Sequence, residues 1–222
     1  HTRVTDSDVR VAIEIGRTAE LQGEAQMDDG KPFVFDGLRV ELIPDHPEAV
    51  SVAGPIDSNG SFRVRSIPTG SYNVQLIGRE DEVYLKAVRC AGENYLEKAI
   101  SLAAEEKAAG CVLTLSREVS TVSGTVTKDE RPVDGMLVIL VPENKERRRN
   151  PRYTMSTQTD EHGLFQIKGA VPGDYLAFAV PPSDDAAYFD LEFPERNREQ
   201  AVRITVRPKE PMRLALQPAT PR

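Results

Sequence analysis

A block of about forty residues occurs twice in this chain, about a hundred residues apart, which limits the fold to two copies of one small domain. Asp57-Ser-Asn-Gly60-Ser-Phe62-Arg-Val64, followed by Ile67-Pro68-Thr-Gly70-Ser-Tyr72, returns as Asp160-Glu-His-Gly163-Leu-Phe165-Gln-Ile167, followed by Val171-Pro172-Gly173-Asp-Tyr175. Ahead of each lies a second shared run. Asp36-Gly37-Leu-Arg-Val40-Glu-Leu42-Ile-Pro44 matches Asp134-Gly135-Met-Leu-Val138-Ile-Leu140-Val-Pro142.

Between the shared runs, short apolar stretches alternate with turn residues, which 16 prolines and 15 glycines among 222 residues supply in number. Strands about every ten residues with turns between them favour an antiparallel sandwich over a parallel α/β fold. The predicted fold is all-β: two tandem seven-stranded Greek-key sandwiches of immunoglobulin-like or prealbumin-like type. Residues 93–109 are rich in helix formers, yet Ile100-Ser-Leu102 alternates, so a short strand with an exposed loop is expected there, with a helix of one to two turns as the alternative. Val9-Arg-Val11-Ala-Ile13-Glu-Ile15 repeats the alternation of Cys111-Val-Leu113-Thr-Leu115 and Met212-Arg-Leu214-Ala-Leu216. That makes three terminal-strand patterns for two modules. Residues 1–18 are therefore expected to be the last strand of an upstream module or a strand given to a partner. Residues 19–117 form the first module and 118–222 the second.

The repeated turn has a structural explanation for each member. The carboxylates of Asp57 and Asp160 can accept backbone N–H bonds, and Gly60 and Gly163 supply positive φ. Phe62 and Phe165 fall on the core face. Gly70 and Gly173 reverse the chain, and Tyr72 and Tyr175 cover the core edge with their hydroxyls near solvent. Calcium is the alternative use of these acidic turns, but their spacing matches no EF-hand or nonapeptide calcium loop; no cofactor is assigned. Cys90 and Cys111 each lie at the end of a strand-like run. A disulfide between neighbouring strands is one reading, worth about 3 kcal/mol in the chain-entropy model. Two buried free thiols are the other.

Taken together, the Gly23 and Gly124 strands, the two Asp-Gly runs and the Asp-x-x-Gly-x-Phe…Gly-x-Tyr signature resemble the carboxypeptidase regulatory-like domains. These are transthyretin-like, Cna-B-like sandwich modules of secreted bacterial proteins. The resemblance covers both modules. It implies an exported location, extracellular, cell-surface or periplasmic, and a non-catalytic role, with no catalytic residues to carry over.

Elsewhere the sequence offers little chemistry. A net charge of −7 argues against nucleic acid as a partner. No apolar run approaches a membrane span and no signal peptide is visible. His1, His46 and His162 form no zinc-hydrolase pattern, and no nucleophile elbow or phosphate loop is present. The strongest anomaly is Lys145, Arg147, Arg148, Arg149 and Arg152, a basic cluster in an acidic chain. It reads either as a solvated loop, in which replacing Arg147, Arg148 and Arg149 would hardly change the melting temperature, or as a contact for an anionic partner. The expected function is a rigid structural or interaction segment whose partners are other modules or copies of itself, including filament growth by adding residues 4–15 to a sheet edge. The rival is a carbohydrate-binding module for cell-surface glycan. Lacking Trp, it would have to use Tyr72, Tyr153, Tyr175 or Tyr188.

Overall fold

A computed structural model describes residues 17–46, 49–148, 150–182, 190 and 192–219. The expected strand at residues 9–15, Arg149 and Tyr188 lie outside the described residues. Strands between 19 and 116 build two sheets, and strands between 120 and 216 build two others.

In the first pair, one sheet has the order β4 (Ser61–Ile67), β1 (Ala19–Met27), β9 (Lys107–Ser116), β6 (Tyr84–Cys90) and the two-residue β7 (Glu93–Asn94). The facing sheet runs β3 (Val52–Pro55), β2 (Arg39–Pro44), β5 (Gly70–Ile77), β8 (Ile100–Leu102). Segment 93–109 is thus strand and turn, with no helix. In the second pair, β10 (Ser120–Lys128) is flanked by β14 (Leu164–Ala170) and β17 (Met212–Leu216), with the two-residue β11 (Arg131–Pro132) at its end. The facing sheet runs β13 (Met155–Gln158), β12 (Leu137–Pro142), β15 (Gly173–Val180), β16 (Val202–Val206). A helical turn, α1 (Lys145–Arg148), comes directly after β12.

Pairing shows the repeat at the level of topology. Leaving aside β6, β7 and β11, strands β1, β2, β3, β4, β5, β8 and β9 pair with one another as β10, β12, β13, β14, β15, β16 and β17 do in the second sandwich. In both, the first and last strands run side by side in parallel. Gly23 and Gly124 permit this, because a Cβ at either would overlap the carbonyl oxygen of Cys111 or Leu214 on the neighbouring strand. Each sandwich closes over its own apolar core, the first centred on Leu21, Val40, Val64, Val88 and Leu113 and the second on Val122, Val138, Phe165, Tyr175 and Leu216.

The two sandwiches differ in the segment inserted after β5 or β15. The first inserts the β6–β7 hairpin, so it holds one long strand more than the expected seven. This strand carries Cys90, which is disulfide-bonded to Cys111 on β9 with Cα atoms 4.3 Å apart. The β6–β9 register pairs Arg89 with Val112, which places the two cysteines opposite each other. Among the described residues the second sandwich shows no counterpart of β6, and its sequence holds no cysteine. Its insert instead forms the helical turn α2 (Phe193–Arg196) and lays Phe193 over the outer face of β12 and β15, against Ile139, Val141, Leu176, Phe178 and Val180. Both faces of those strands are consequently buried.

Candidate functional site

The repeated aspartate turns act on the fold itself. Asp160 Oδ1 accepts the N–H groups of His162 (2.9 Å) and Leu164 (2.8 Å). In the first copy the work is shared: Asp57 Oδ2 accepts the Ser61 hydroxyl at 3.1 Å and Asn59 Oδ1 accepts the Ser61 N–H at 2.9 Å. Gly60 (φ 90°) and Gly163 (φ 69°) then offer their carbonyls to Ala25 N–H (2.7 Å) and Val126 N–H (2.8 Å). Each turn therefore fastens the β4 or β14 hairpin to the first strand of its sandwich. A Cβ would sit 2.5 Å from Ala25 O or 2.7 Å from Val126 O, so the glycine is fixed by approach as well as by φ. Among the described residues, no group of three or more His, Cys, Asp or Glu side chains could hold a metal ion.

The two tyrosines correct the expectation of hydroxyls near solvent. Tyr72 O–H donates to Pro68 O at 2.7 Å, and Tyr175 O–H donates to Val171 O at 2.9 Å, four residues back in each case. Both rings are buried, and this is the tyrosine-corner arrangement of sandwich folds. Burial raises the Tyr72 hydroxyl and pushes Tyr175 up to about 12. With Tyr153 also buried, three of the four tyrosines on which a sugar-stacking surface would depend are in the interior.

Between the sandwiches the chain is held on both sides. Only Arg117, Glu118 and Val119 separate β9 from β10. Arg117 Nη1 pairs with Asp29 Oδ2 at 2.9 Å, Nη2 donates to Pro32 O at 2.7 Å, and the guanidinium lies over Phe33 at 5.1 Å. The Lys31 N–H and the Arg117 charge hold the Asp29 carboxyl below its ordinary value. Val119 packs on a small cluster of Tyr84 from β6 and Tyr153 and Val171 from the second sandwich. Backbones also meet here. Gly169 (φ 69°) faces Glu80 so closely that a Cβ would overlap the Glu80 carbonyl. Ser66, the matching residue of the first copy, adopts φ 58° with an ordinary side chain. The glycine at 169 is therefore required by the junction, whereas the turn alone tolerates serine.

The basic cluster takes a different form from an open patch. Arg148 is 6% exposed. Its Nε donates to Pro142 O (2.7 Å), Nη2 to Glu143 O (3.2 Å), and Nη1 to Glu195 Oε1 (2.8 Å). The hydrogen bond from Arg148 is the main reason that the Glu195 carboxyl titrates below its ordinary value. Arg147 lies over the Tyr153 ring at 4.2 Å and donates to Pro172 O at 3.3 Å. Arg152 reaches across the junction to Glu80 O at 3.4 Å, and desolvation lowers its pKa. Lys145 is exposed, 3.9 Å from Glu195. Arg148 is thus not a solvated loop residue, and a replacement that includes it is expected to lower the melting temperature. Arg147 and Arg148 form an internal brace, donating to three backbone carbonyls at the end of β12 and the start of β15.

An open groove of about 670 Å³ is lined by Gln22, Glu24, Asp57, Ser61, Arg63 and Arg65 on the outer face of β1 and β4. Its cations are paired within the protein: Arg63 meets Glu20 at 3.0 Å and Gln22 at 2.9 Å, and Arg65 meets Glu20 at 3.6 Å.

No protein-family model and no curated protein matches the sequence. Solved structures with a similar arrangement include the Bacillus anthracis TIE protein, at 14% identity and a TM-score of 0.33, with 91% of this chain and 34% of that one covered. A streptococcal ancillary pilin gives 12% and 0.36, covering 94% and 64%. A minor pilin of Streptococcus agalactiae gives 12% and 0.35, covering 92% and 98%. This chain spans about a third of the first of these and under two thirds of the second. At such scores the likeness carries no argument about role. The class is defined by the strands themselves: a tandem β-sandwich protein with a packed junction.

Proposed function

We propose that this chain is a non-catalytic structural segment of an extracellular or cell-surface assembly, in which two sandwiches act as one stiff block. The observation that carries the reading is the junction. Three linking residues, a buried aromatic cluster, a backbone contact through Gly169 and the Arg117 and Arg152 contacts are more than a passive tether needs. Domains joined by a free linker move relative to one another by default, and a packed apolar interface removes that freedom. The Cys90–Cys111 bridge supports placement outside the cytoplasm, since structural disulfides persist in oxidising compartments. The resemblance to exported carboxypeptidase regulatory-like modules points the same way. The side chains that could do chemistry serve the fold: Asp57 and Asp160 hold turns, Tyr72 and Tyr175 hold corners, and Arg148 braces β12. Labelling intact cells with a membrane-impermeant amine reagent tests the placement. The protein should be labelled with its bridge oxidised; a protected, reduced protein inside the cell would refute it.

A further inference from the structure

The turn after β3 carries a second pattern that its copy after β13 lacks. Asn59-Gly60-Ser61 is an Asn-x-Ser triplet, the acceptor pattern for N-linked glycan, and no other Asn-x-Ser or Asn-x-Thr occurs in the sequence. The second copy has His162-Gly163-Leu164 at the same place. Closing the turn does not require the asparagine. Asp160 Oδ1 alone accepts the two N–H groups there, from His162 at 2.9 Å and Leu164 at 2.8 Å. In the first copy Asn59 Oδ1 accepts the Ser61 N–H at 2.9 Å, and the Ser61 hydroxyl lies 2.8 Å from the same oxygen. A backbone N–H can only donate, so the amide oxygen must face the turn and the amide nitrogen must point away from it. Asn59 is exposed, and its Nδ2 has no hydrogen-bond partner among the described residues. Beside it lies an open depression of about 610 Å³, whose walls include Asp36, Arg39, Asp57 and Asn59 itself. These are groups that suit sugar hydroxyls.

We infer that Asn59 is a glycosylation site, whose Nδ2 receives an oligosaccharide from a polyprenyl-pyrophosphate donor through a transferase acting outside the cytoplasm. The inference rests on the extracellular reading and extends it. In the transfer Nδ2 attacks C1 of the first sugar. The N–C1 bond forms as the C1–O bond to the pyrophosphate breaks. The pyrophosphate leaves with the electron pair, and one Nδ2 proton passes to a base of the transferase. Ser61 supplies the hydroxyl two residues on that completes the acceptor pattern. Because the product keeps the Asn59 carbonyl, the bond from the Ser61 N–H survives, and the turn survives with it. The triplet therefore serves two ends of one amide: oxygen for the fold, nitrogen for the sugar. The glycan is carried rather than captured, so the role needs no aromatic platform and is untouched by the burial of Tyr72, Tyr153 and Tyr175. The first sandwich alone would bear it, since its copy has neither the asparagine nor the serine.

The test is peptide mass spectrometry of the chain recovered from the envelope and medium of the organism that makes it. Asn59→His, Ser61→Ala and Ser61→Thr, expressed in the same organism, serve as comparisons. Asn59→His copies the residue of the second sandwich and should fold normally, while Ser61→Ala leaves the acceptor amide in place. The inference expects the peptide containing Asn59 to gain mass in whole sugar residues. That gain should be lost in Asn59→His and Ser61→Ala and kept in Ser61→Thr. A bare Asn59 on the exported native chain, a gain that persists in Asn59→His, or a Ser61→Ala chain modified as fully as the native one would each overturn it. The two readings fail differently. An exported chain with its bridge oxidised and Asn59 bare overturns the glycan and leaves the placement standing, whereas a chain confined to the cytoplasm overturns both.

Discussion

Replacing Arg148 with Met should destabilise the second sandwich strongly, although the residue sits in a run of basic side chains that resembles a surface loop. The residue is 6% exposed and its side chain supplies donors to two backbone carbonyls, Pro142 O and Glu143 O, besides its ion pair with Glu195. Methionine fills much of the volume but donates nothing. Each carbonyl left unsatisfied costs about 1–3 kcal/mol, the less for one that water can reach. Losing one partner of a buried pair costs about 3–5 kcal/mol, and the partial exposure of Glu195 argues for the low end. A net loss of about 3 kcal/mol corresponds to a melting temperature lower by roughly 12–24 °C for a unit of this size. Differential scanning calorimetry at neutral pH reads it directly, with Lys145→Ser as the exposed control, expected to shift stability by no more than about 0.5 kcal/mol. The pH dependence supplies a second arm. Because Arg148 depresses the folded pKa of Glu195, the contribution of the pair is complete above the unfolded value of 4.5 and is lost as pH falls through the lower folded value. Acidification below pH 4.5 should therefore cost the native protein more than the variant. An Arg148→Met protein that melts with the Lys145→Ser control would refute the brace.

Other consequences are as specific. Reducing the Cys90–Cys111 bridge, which spans a separation of 21 residues, should lower the stability of the first sandwich by about 3 kcal/mol; equal melting of reduced and oxidised protein would contradict its structural role. Tyr175→Phe should cost about 1 kcal/mol through loss of the bond to Val171 O, read by urea unfolding, and an unchanged midpoint would count against the corner. In the native protein Tyr175 should resist ionisation to about pH 12. Since its folded pKa is raised, that contribution is present below pH 10 and lost as pH climbs through 12; absorbance titration that ionises every tyrosine near pH 10 would disprove the burial. Gly169→Ala should leave both cores folded but open the junction, because the added Cβ overlaps Glu80 O. Hydrogen exchange that stayed unchanged at residues 80–84 and 169–171 would argue against that contact.

Much of the fold is legible in the sequence because duplication supplies its own control. The alternation in β1, β2, β4 and β5, the glycines at 60 and 163 and the tyrosines at 72 and 175 can each be checked against a second copy. The features that escape such reading lie where the copies differ. The continuous apolar runs Leu137-Val-Ile-Leu-Val141 and Tyr175-Leu-Ala-Phe-Ala-Val180 replace the alternating runs of the first copy. Such runs signal strands covered on both faces, and α2 provides the cover. Gly169 in place of Ser66 is the mark of a contact outside the turn. The arginine loop misleads because charge density alone does not distinguish a solvated side chain from one that answers buried carbonyls.

The central claim is that the packed junction makes one stiff body of two sandwiches, and residual dipolar couplings measured on amides of both test it most directly. A single alignment tensor should fit the backbone amides of residues 19–116 and 120–216 together, and Gly169→Ala should split it into two. Two tensors of unequal magnitude in the native protein would mean that the sandwiches move independently, and the claim would be wrong.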